Sequence, residues 1–506
     1  MGEKAKNTTE FSILNLDGTS RDPEETEVFF TDLNLLQVID WLTLKWGRDV
    51  RKYYLYFPMD AEAAAYRRAV YGDVKKDVIY RALMTYMEQL AGIAVLRGER
   101  ERVSNPLQQA VWKVREATAF CEAYEALSEA LAEGEPASAG MREFARILAE
   151  YLAKDSYLRM KETMKKVLEE IRSTRFVITC DKDRIRVELR EVVGEGAYEE
   201  WLSGAIGSEV TRIQNPFAAD IKITELENEC LEILREKKPA LFRALTSIPS
   251  GNECETPVLH RFSEEIRFYL SFAGFQREME AAGFAFATPD TSEEKRMEAK
   301  GLYDLALALN SIGDGRSVVS NDFTLDGGER FFVLTGPNQG GKTTFARSLG
   351  QLVYLTKMGL DVPAVSANVP FFPGILTHFS VEESVETGRG KLMDELVRLA
   401  PMMRDDAKGS FVVINELFTT AANYDAQVMG KRVLEHFIGC GCKGIYVTHI
   451  KELADEREGV VSLRAILDEK GVPTFLIRRG EAEDGASAAG AVNKYRLTYE
   501  QLKERL

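Results

Sequence analysis

The chain has few cysteines and no long apolar run. Six cysteines are scattered over 506 residues, and only Cys440 and Cys442 stand close together. This usage indicates neither a disulfide framework nor a zinc site. No apolar segment reaches the roughly 20 residues of a membrane span, and the start, MGEKAKNTTEF, lacks the apolar core of a signal peptide. We therefore expect no membrane partner and a place in the reducing cytoplasm.

Positive charge is also in short supply. Lys and Arg number 65 against 80 Asp and Glu, which gives a net charge of −15. Such a chain has no general attraction to nucleic acid, so any contact with DNA has to come from a local basic patch. The length is sufficient for three or more domains.

What the chain does contain is a glycine-rich loop, TGPNQGGKTTF, between an apolar run and a helical segment. Backbone N–H groups of such a loop and of the helix that follows it bind phosphate. We expect Lys342 to reach the β- and γ-phosphates of ATP and the Thr343 hydroxyl to bind Mg²⁺. A glycine-rich turn without a ligand is the alternative. The predicted phosphate-binding residues are Gly336, Pro337, Asn338, Gln339, Gly340, Gly341, Lys342, Thr343 and Thr344.

Two more apolar runs end in polar residues. Asn415 and Glu416 follow the run 411–414, and His449 follows the run 444–448. Open α/β sheets bind ligands at the carboxyl ends of their strands, so we expect these side chains to meet the loop there. Glu416 is the predicted base for the attacking water, and His449 a predicted γ-phosphate sensor. Asn415 is anomalous, because an aspartate normally supports the metal at this position.

Five segments, in order, resemble the MutS family, the ATPases of DNA mismatch repair, which belong to the ABC-type P-loop class. They are VVSNDFTL from Val318, TGPNQGGKTTF, ETGRGKLMDEL from Glu386, NELFTTAANYDA and VTHIKEL. The resemblance covers roughly residues 300–460. It implies an α/β P-loop NTPase domain of ABC type at 296–506, with ATP and Mg²⁺ as cofactors.

The resemblance also implies roles for single residues. It places Val318, Val319 and Asn321 beside the adenine, and Thr343 and Asn415 at the metal. Thr387, Gly388, Arg389 and Gly390 become a signature segment that contacts the nucleotide of a partner subunit, and Asn423, Tyr424 and Asp425 lie at the dimer interface. A homodimer follows from this reading. Because Asn415 replaces an aspartate and Gly390 a serine, we expect ATP hydrolysis that is slow.

The first three hundred residues are predicted to be mostly helical. After a segment 1–29, we expect a helical core and lever at 30–174, with long helices at Asn105–Ala132 and Met141–Ser173. The period then changes to alternation in FVITC and RIRVEL, which predicts a β-rich insert at 175–218, and helical spacing returns at 219–295. This order, in which a small β-rich insert separates two antiparallel helical segments, resembles the lever and clamp of MutS.

Candidate DNA contacts lie on this insert. Lys182, Arg184, Arg186 and Arg190 could bind DNA phosphates without reading sequence, although an ordinary solvated strand face is the alternative. Core-like sequence starts near residue 30, so we expect no mismatch-reading or connector domain. The leading hypothesis is a dimeric ATPase that clamps duplex or branched DNA in mismatch repair or recombination. The alternative is a nucleotide-dependent ABC-type switch that binds a protein partner and not DNA.

Overall fold

The chain folds into two compact units that alternate along the sequence. The computed structural model describes residues 11–18, 27–56, 58, 60–103, 106–181, 184–191, 225–248, 254–292, 296–314, 317–380, 390–404, 407–455, 457–481 and 503. One unit, called the sheet unit here, comprises Met1–Lys75, Ser138–Gly140 and Glu264–Leu506. The other, called the helical unit, comprises Lys76–Ala137 and Met141–Ser263.

Four helices open the sheet unit. They are α1 (Val28–Asp32), α2 (Leu35–Thr43), α3 (Arg51–Leu55) and α4 (Ala61–Val74). Leu35, Ile39 and Leu42 are buried on one side of α2, as their helical spacing predicts. The segment before α1 is also anchored, because Glu265 accepts hydrogen bonds from the Ser12 hydroxyl and the Ile13 N–H, at 2.8 and 2.9 Å.

The helical unit is built on long helices. These are α5 (Asp77–Arg102), α6 (Pro106–Gly134), α7 (Ala139–Leu152), α8 (Asp155–Ser173), α9 (Glu225–Lys237) and α10 (Pro239–Ser247). Helix α11 (Pro257–Ala281) begins here and continues into the sheet unit.

The prediction of one helix over Met141–Ser173 is wrong, because the structure has two helices there. Lys154 has an extended backbone, with φ −65° and ψ 137°, and helix α8 starts at Asp155. Asp155 and Ser156 favour a helix start, since their short polar side chains compete with backbone hydrogen bonds inside a helix. The apolar spacing continues across the break and therefore conceals it.

A β-hairpin follows α8, as the alternation predicts. Strands β1 (Thr174–Asp181) and β2 (Arg184–Glu191) pair antiparallel, with Thr179 opposite Arg186 and Arg175 opposite Arg190. The hairpin itself is confirmed, and its role in binding DNA stays a prediction.

The described residues in the remainder of the sheet unit form two sheets. Strands β3 (Met297–Leu302), β4 (Asn321–Leu325) and β6 (Ser366–Asn368) form the smaller one, in the order β4-β3-β6. The larger sheet has the order β11-β10-β5-β9-β8-β7. Its strands are β5 (Phe331–Thr335), β7 (Ile375–Phe379), β8 (Phe411–Asn415), β9 (Lys443–Val447), β10 (Val460–Leu467) and β11 (Pro473–Arg479).

Helices complete this sheet. They are α12 (Leu305–Asp314), α13 (Lys342–Met358), α14 (Lys391–Met402) and α15 (Asn423–Gly439). Within the larger sheet, all pairings are parallel except that of β10 with β11. Every residue of β5, β8 and β9 is buried, which explains why these strands are mostly apolar. At Gly444 a Cβ atom would lie 2.0 Å from the carbonyl oxygen of Val412 in the neighbouring strand β8, so this position requires glycine.

The fold is thus multidomain, with helices and mixed sheets, and to this extent the predicted fold class is confirmed. Among the described residues, none of the helices combines the length and apolar character needed to cross a membrane.

Candidate functional site

Three strands deliver polar residues to one edge of the larger sheet. Strand β9 lies between β5 and β8, and all three are parallel. The glycine-rich loop follows β5, Glu416 follows β8, and His449 comes shortly after β9. Backbone hydrogen bonds continue past the strand ends, from Glu416 N–H to Val447 O and from Thr448 N–H to Leu334 O, at 3.0 Å each. The side chains predicted from the sequence therefore lie on one rim.

The glycine-rich loop has a conformation that its glycines allow. Gly336 and Gly341 have φ values of 133° and 87°, and Gln339 adopts a φ of 62°. A Cβ atom at Gly336 would lie 3.0 Å from Ala465 Cβ, and one at Gly340 would lie 3.0 Å from Pro337 O. Helix α13 begins directly after the loop, at Lys342. A close-fitting loop at a helix N-terminus suits the binding of phosphate.

Lys342 lies across this loop. Its Nζ atom donates hydrogen bonds to Gly336 O and Pro337 O, at 2.9 and 2.8 Å. Burial lowers the pKa of Lys342, and the nearby Glu416 carboxylate partly offsets that effect. The ammonium group is thus held at the mouth of the loop, where its charge is poorly hydrated and would favour an anion.

Thr343 and Asn415, the two predicted metal ligands, are in contact. The Thr343 hydroxyl donates a hydrogen bond of 3.0 Å to Asn415 Oδ1. Both side chains offer oxygen atoms, which Mg²⁺ prefers, so the pair fits the ion. Neither oxygen is charged, and Mg²⁺ bound there would depend on water and on phosphate oxygens for its other ligands.

Glu416 and His449 form a pair beside the metal candidates. The distance from His449 Nε2 to Glu416 Oε1 is 3.0 Å. This hydrogen bond lowers the pKa of Glu416 more than burial raises it, so the carboxylate is anionic at neutral pH. The backbone of Glu416 is left-handed, with φ 57°. An anionic carboxylate held by a histidine is suited to accept a proton from water.

A cavity of about 450 Å³ adjoins the loop. Val318, Val319, Asn321 and Phe475 line it, together with Glu416 and residues 338–344 of the loop and helix. The Asn321 side chain bridges to strand β11, since it donates to Phe475 O at 3.2 Å and accepts from Ile477 N–H at 2.7 Å. The predicted adenine-side residues and the phosphate loop thus share one cavity.

Phe475 is a site residue that the sequence analysis missed. It has a left-handed φ of 60° and is 49% exposed, both unusual for phenylalanine in a strand. Strained residues that persist tend to lie at functional sites. The ring lies beside the loop, because a Cβ atom at Gly341 would lie 3.4 Å from Phe475 Cδ1 and both residues line the cavity. The sequence TFLIRR contains no signal that singles out this phenylalanine, because its exposure and its backbone conformation are seen only in the structure.

If the proposed nucleotide site is right, we expect Phe475→Ala to weaken ATP binding at least about fivefold, because stacking of a base on an aromatic ring contributes about 1–3 kcal/mol. Titration with a fluorescent adenine nucleotide measures the change, and Phe475→Tyr serves as the control that keeps the ring. Equal affinities for all three proteins would show that the ring does not contact the base.

The remaining predicted residues are distributed as follows. Gly390 is the residue before the first turn of α14, and Asn423, Tyr424 and Asp425 form the first turn of α15, where Tyr424 is exposed. Arg184, Arg186 and Arg190 lie in strand β2 of the helical unit. Thr387, Gly388, Arg389 and Lys182 lie outside the described residues.

A mostly parallel sheet with a glycine-rich loop and polar residues at the carboxyl ends of its strands is typical of nucleotide-binding α/β domains. Residues 332–472 match the family model described as MutS domain V. This part of the chain is therefore similar to the MutS family.

Individual relatives agree with this assignment. DNA mismatch repair protein MutS of Sorangium cellulosum is 30% identical over 177 residues, which are 34% of this chain and 19% of that protein. MutS of Streptococcus sanguinis is 29% identical over 191 residues, 37% of this chain and 22% of that protein. DNA mismatch repair protein MSH6 of Arabidopsis thaliana is 28% identical over 286 residues, which are 55% of this chain and 21% of that protein. This chain thus spans about a fifth of the length of these relatives.

Proposed function

We propose that this chain binds ATP with Mg²⁺, hydrolyses it, and acts as a homodimeric clamp on DNA. The observation that carries the proposal is the meeting of Lys342, Thr343, Asn415, Glu416 and His449 at one rim, beside a cavity of about 450 Å³. Binding of DNA would involve other residues, on strand β2 of the helical unit.

The chemistry follows from the positions of the side chains. The loop N–H groups and Lys342 bind the β- and γ-phosphates and compensate their charge. Thr343 and Asn415 are the residues that would hold Mg²⁺, and the ion would supply further charge compensation on the phosphate oxygens. Glu416 takes a proton from the attacking water, and His449 fixes the direction of the Glu416 carboxylate through the 3.0 Å hydrogen bond.

Restoring a carboxylate in Asn415→Asp should raise the affinity for Mg²⁺ about tenfold, because a hard dication prefers anionic oxygen. If metal binding limits turnover, the rate of hydrolysis rises with it. A magnesium titration of ATPase activity measures both effects. Ser156→Asp, at an exposed position on the first turn of α8 in the helical unit, adds the same charge and is the control. An unchanged titration curve would place residue 415 beyond the reach of the metal.

Hydrolysis is expected to need two chains, because Gly388 and Gly390 belong to a segment that would complete the site of a partner subunit. Chains with Glu416→Ala retain an intact signature, and chains with a bulky Gly388→Trp retain an intact base. A mixed dimer contains one complete site, so random pairing should restore about a quarter of the parental activity per chain. ATPase assays of each mutant alone and of the mixture provide the measurement.

Dilution gives an independent check of the dimer. Specific activity should fall on dilution and rise again at saturating ATP if nucleotide promotes association. A protein that stays monomeric with ATP and still hydrolyses it at a rate per chain independent of concentration would rule out a shared site.

The proposed DNA clamp is supported by the names of the relatives, which are DNA mismatch repair proteins, and by the three arginines of strand β2. The net charge of −15 favours the second candidate function, a nucleotide-dependent switch that binds a protein partner. The two differ in one measurable property. Only a DNA clamp binds duplex or branched DNA with an affinity that falls as salt rises.

The decisive assay compares duplex, mismatched, branched and single-stranded DNA, with and without ATP, over a series of salt concentrations. Changing Arg184, Arg186 and Arg190 together to alanine should weaken binding and lower the salt slope by up to about 0.9 for each DNA phosphate that the protein no longer neutralises. Arg146→Ala and Arg159→Ala on exposed helix faces are the controls. An absence of salt-dependent DNA binding would favour the protein-binding switch.

A further inference from the structure

Glu395 is a buried carboxylate inside the sheet unit. It lies on helix α14, five residues after Gly390, and it is only 4% exposed. Its Oε2 atom accepts a hydrogen bond from the Phe418 N–H at 3.0 Å. Its Oε1 atom is buried and has no hydrogen-bond partner among the described residues. Burial raises the pKa of Glu395, and the Phe418 N–H and Lys391 partly offset the effect.

A carboxylate at this position carries a cost in stability. The neighbouring core contains Leu399, Met402, Leu417 and Phe418, which an apolar side chain would suit. A buried polar oxygen without a partner costs about 1–3 kcal/mol. A group that is unfavourable for folding and yet makes one well-formed hydrogen bond invites a functional explanation.

That hydrogen bond is to the loop that carries the candidate base. Glu416 and Phe418 both adopt left-handed backbone conformations, with φ values of 57° and 62°. Each such residue costs about 1–2 kcal/mol, so the loop keeps this shape only where its surroundings impose it. The Glu416 N–H is bound by Val447 O, and the Phe418 N–H by Glu395. Val447 and Glu395 are therefore two anchors of the backbone of this loop, and the position of Glu416 depends on both.

The two anchors belong to different elements. Val447 is the last residue of strand β9, within the buried sheet, whereas Glu395 is on helix α14. The same helix begins after Gly390, and its Arg398 donates to Phe379 O at the end of β7, at 2.9 Å. A helix moves as a rigid body over so short a distance, so a displacement at its N-terminus reaches Glu395 and the loop.

We propose that Glu395 is a positioning residue for hydrolysis, whose carboxylate makes the placement of Glu416 depend on the placement of helix α14. The proposal rests on the proposed function, in which Glu416 is the base. It connects two places in one chain, namely the start of α14, where the partner's nucleotide would bind, and Glu416, the base of the chain's own site. A displacement of α14 would be transmitted between them through Glu395. Contact of that helix with a partner would then align the base for the site that the same chain holds.

The test compares Glu395→Leu, which removes the acceptor, with Glu395→Gln, which keeps an oxygen at that position. Leucine should leave the dissociation constant for ATP within about twofold and lower the hydrolysis rate at saturating ATP by ten- to a hundredfold, as expected for a base misplaced by about 1 Å. Glutamine should retain at least about a third of the parental rate. Glu435→Leu, at an exposed position of α15, is the matched control and should have parental activity.

Two further measurements separate positioning from a general structural effect. In a Glu416→Gln background, Glu395→Leu should cause no additional loss of rate, because both changes act through the same group. Hydrogen exchange of the segment 416–421 should be faster in Glu395→Leu than in the parent, and close to parental in Glu395→Gln. This second measurement does not require ATPase activity.

The outcomes distinguish this proposal from the one on which it rests. A parent chain that does not hydrolyse ATP would overturn both. Turnover in the parent with equal turnover in Glu395→Leu would overturn only the role of Glu395. An equal loss in ATP affinity and in rate, or an additive loss in the Glu416→Gln background, would mean that Glu395 merely supports the fold.

Discussion

Lys342→Ala should reduce the affinity for ATP by two orders of magnitude or more. Its Nζ atom is the cation that the glycine-rich loop holds against its own carbonyl groups, at 2.8 and 2.9 Å. Each charge-assisted hydrogen bond to phosphate contributes about 1.5–3 kcal/mol, and the ammonium group can bond to two phosphates. Calorimetric titration with ATP and Mg²⁺ measures the loss.

The control for this experiment is Lys431→Ala, which removes an exposed lysine from helix α15. Lys342→Met is a useful companion, because it keeps the length of the side chain and removes only the charge. Both substitutions at residue 342 should give the same loss, while the control binds as the parent does. Parental affinity in Lys342→Met would disprove the assignment of the loop to phosphate.

Glu416→Gln should leave ATP bound and stop most of its hydrolysis. Glutamine preserves the size of the side chain and cannot accept the proton, and general-base catalysis contributes roughly 10²–10⁴-fold. Binding by calorimetry and phosphate release in a single turnover give the two quantities separately. If phosphate release continues at the parental rate, another group activates the water.

The pH dependence of the rate identifies which partner is the base. Because the hydrogen bond from His449 lowers the pKa of Glu416, the parental rate should persist until the pH falls through that lowered pKa. His449→Ala removes the bond, so the pKa of Glu416 rises and the acidic limb of the profile moves to higher pH. Were His449 itself the base, its replacement would abolish the limb rather than move it.

Much of the rim could be predicted because short-range patterns specify it. A buried parallel strand reads as a continuous apolar run, and the polar residue after it marks the edge at which the ligand is expected. This reasoning predicted that four residues lie at the rim, namely Thr343, Asn415, Glu416 and His449. In the structure they form two pairs, Thr343 with Asn415 and Glu416 with His449, each with a hydrogen bond of 3.0 Å. The functional roles of these residues stay predictions.

Other features depend on contacts that the sequence does not reveal. Phe475 reaches the loop through a left-handed backbone and a hydrogen bond from Asn321, more than 150 residues earlier. Glu395 belongs to the segment ETGRGKLMDEL, but the burial of its side chain depends on how helix α14 packs. The break at Lys154 was missed for the opposite reason, because the local apolar spacing continues across it.

Strand β11 has a practical consequence for preparing a fragment that contains the larger sheet and its proposed nucleotide site. The match to MutS domain V stops at residue 472, and β11 runs from Pro473 to Arg479. A fragment trimmed to that boundary would lose Phe475 and would leave β10 as an unpaired edge, which is a hazard for aggregation. We expect such a fragment to be poorly soluble and to bind nucleotide weakly, because it lacks this strand. A fragment intended for crystallisation should therefore extend at least to Gly480, whose N–H bonds to Ser462 O.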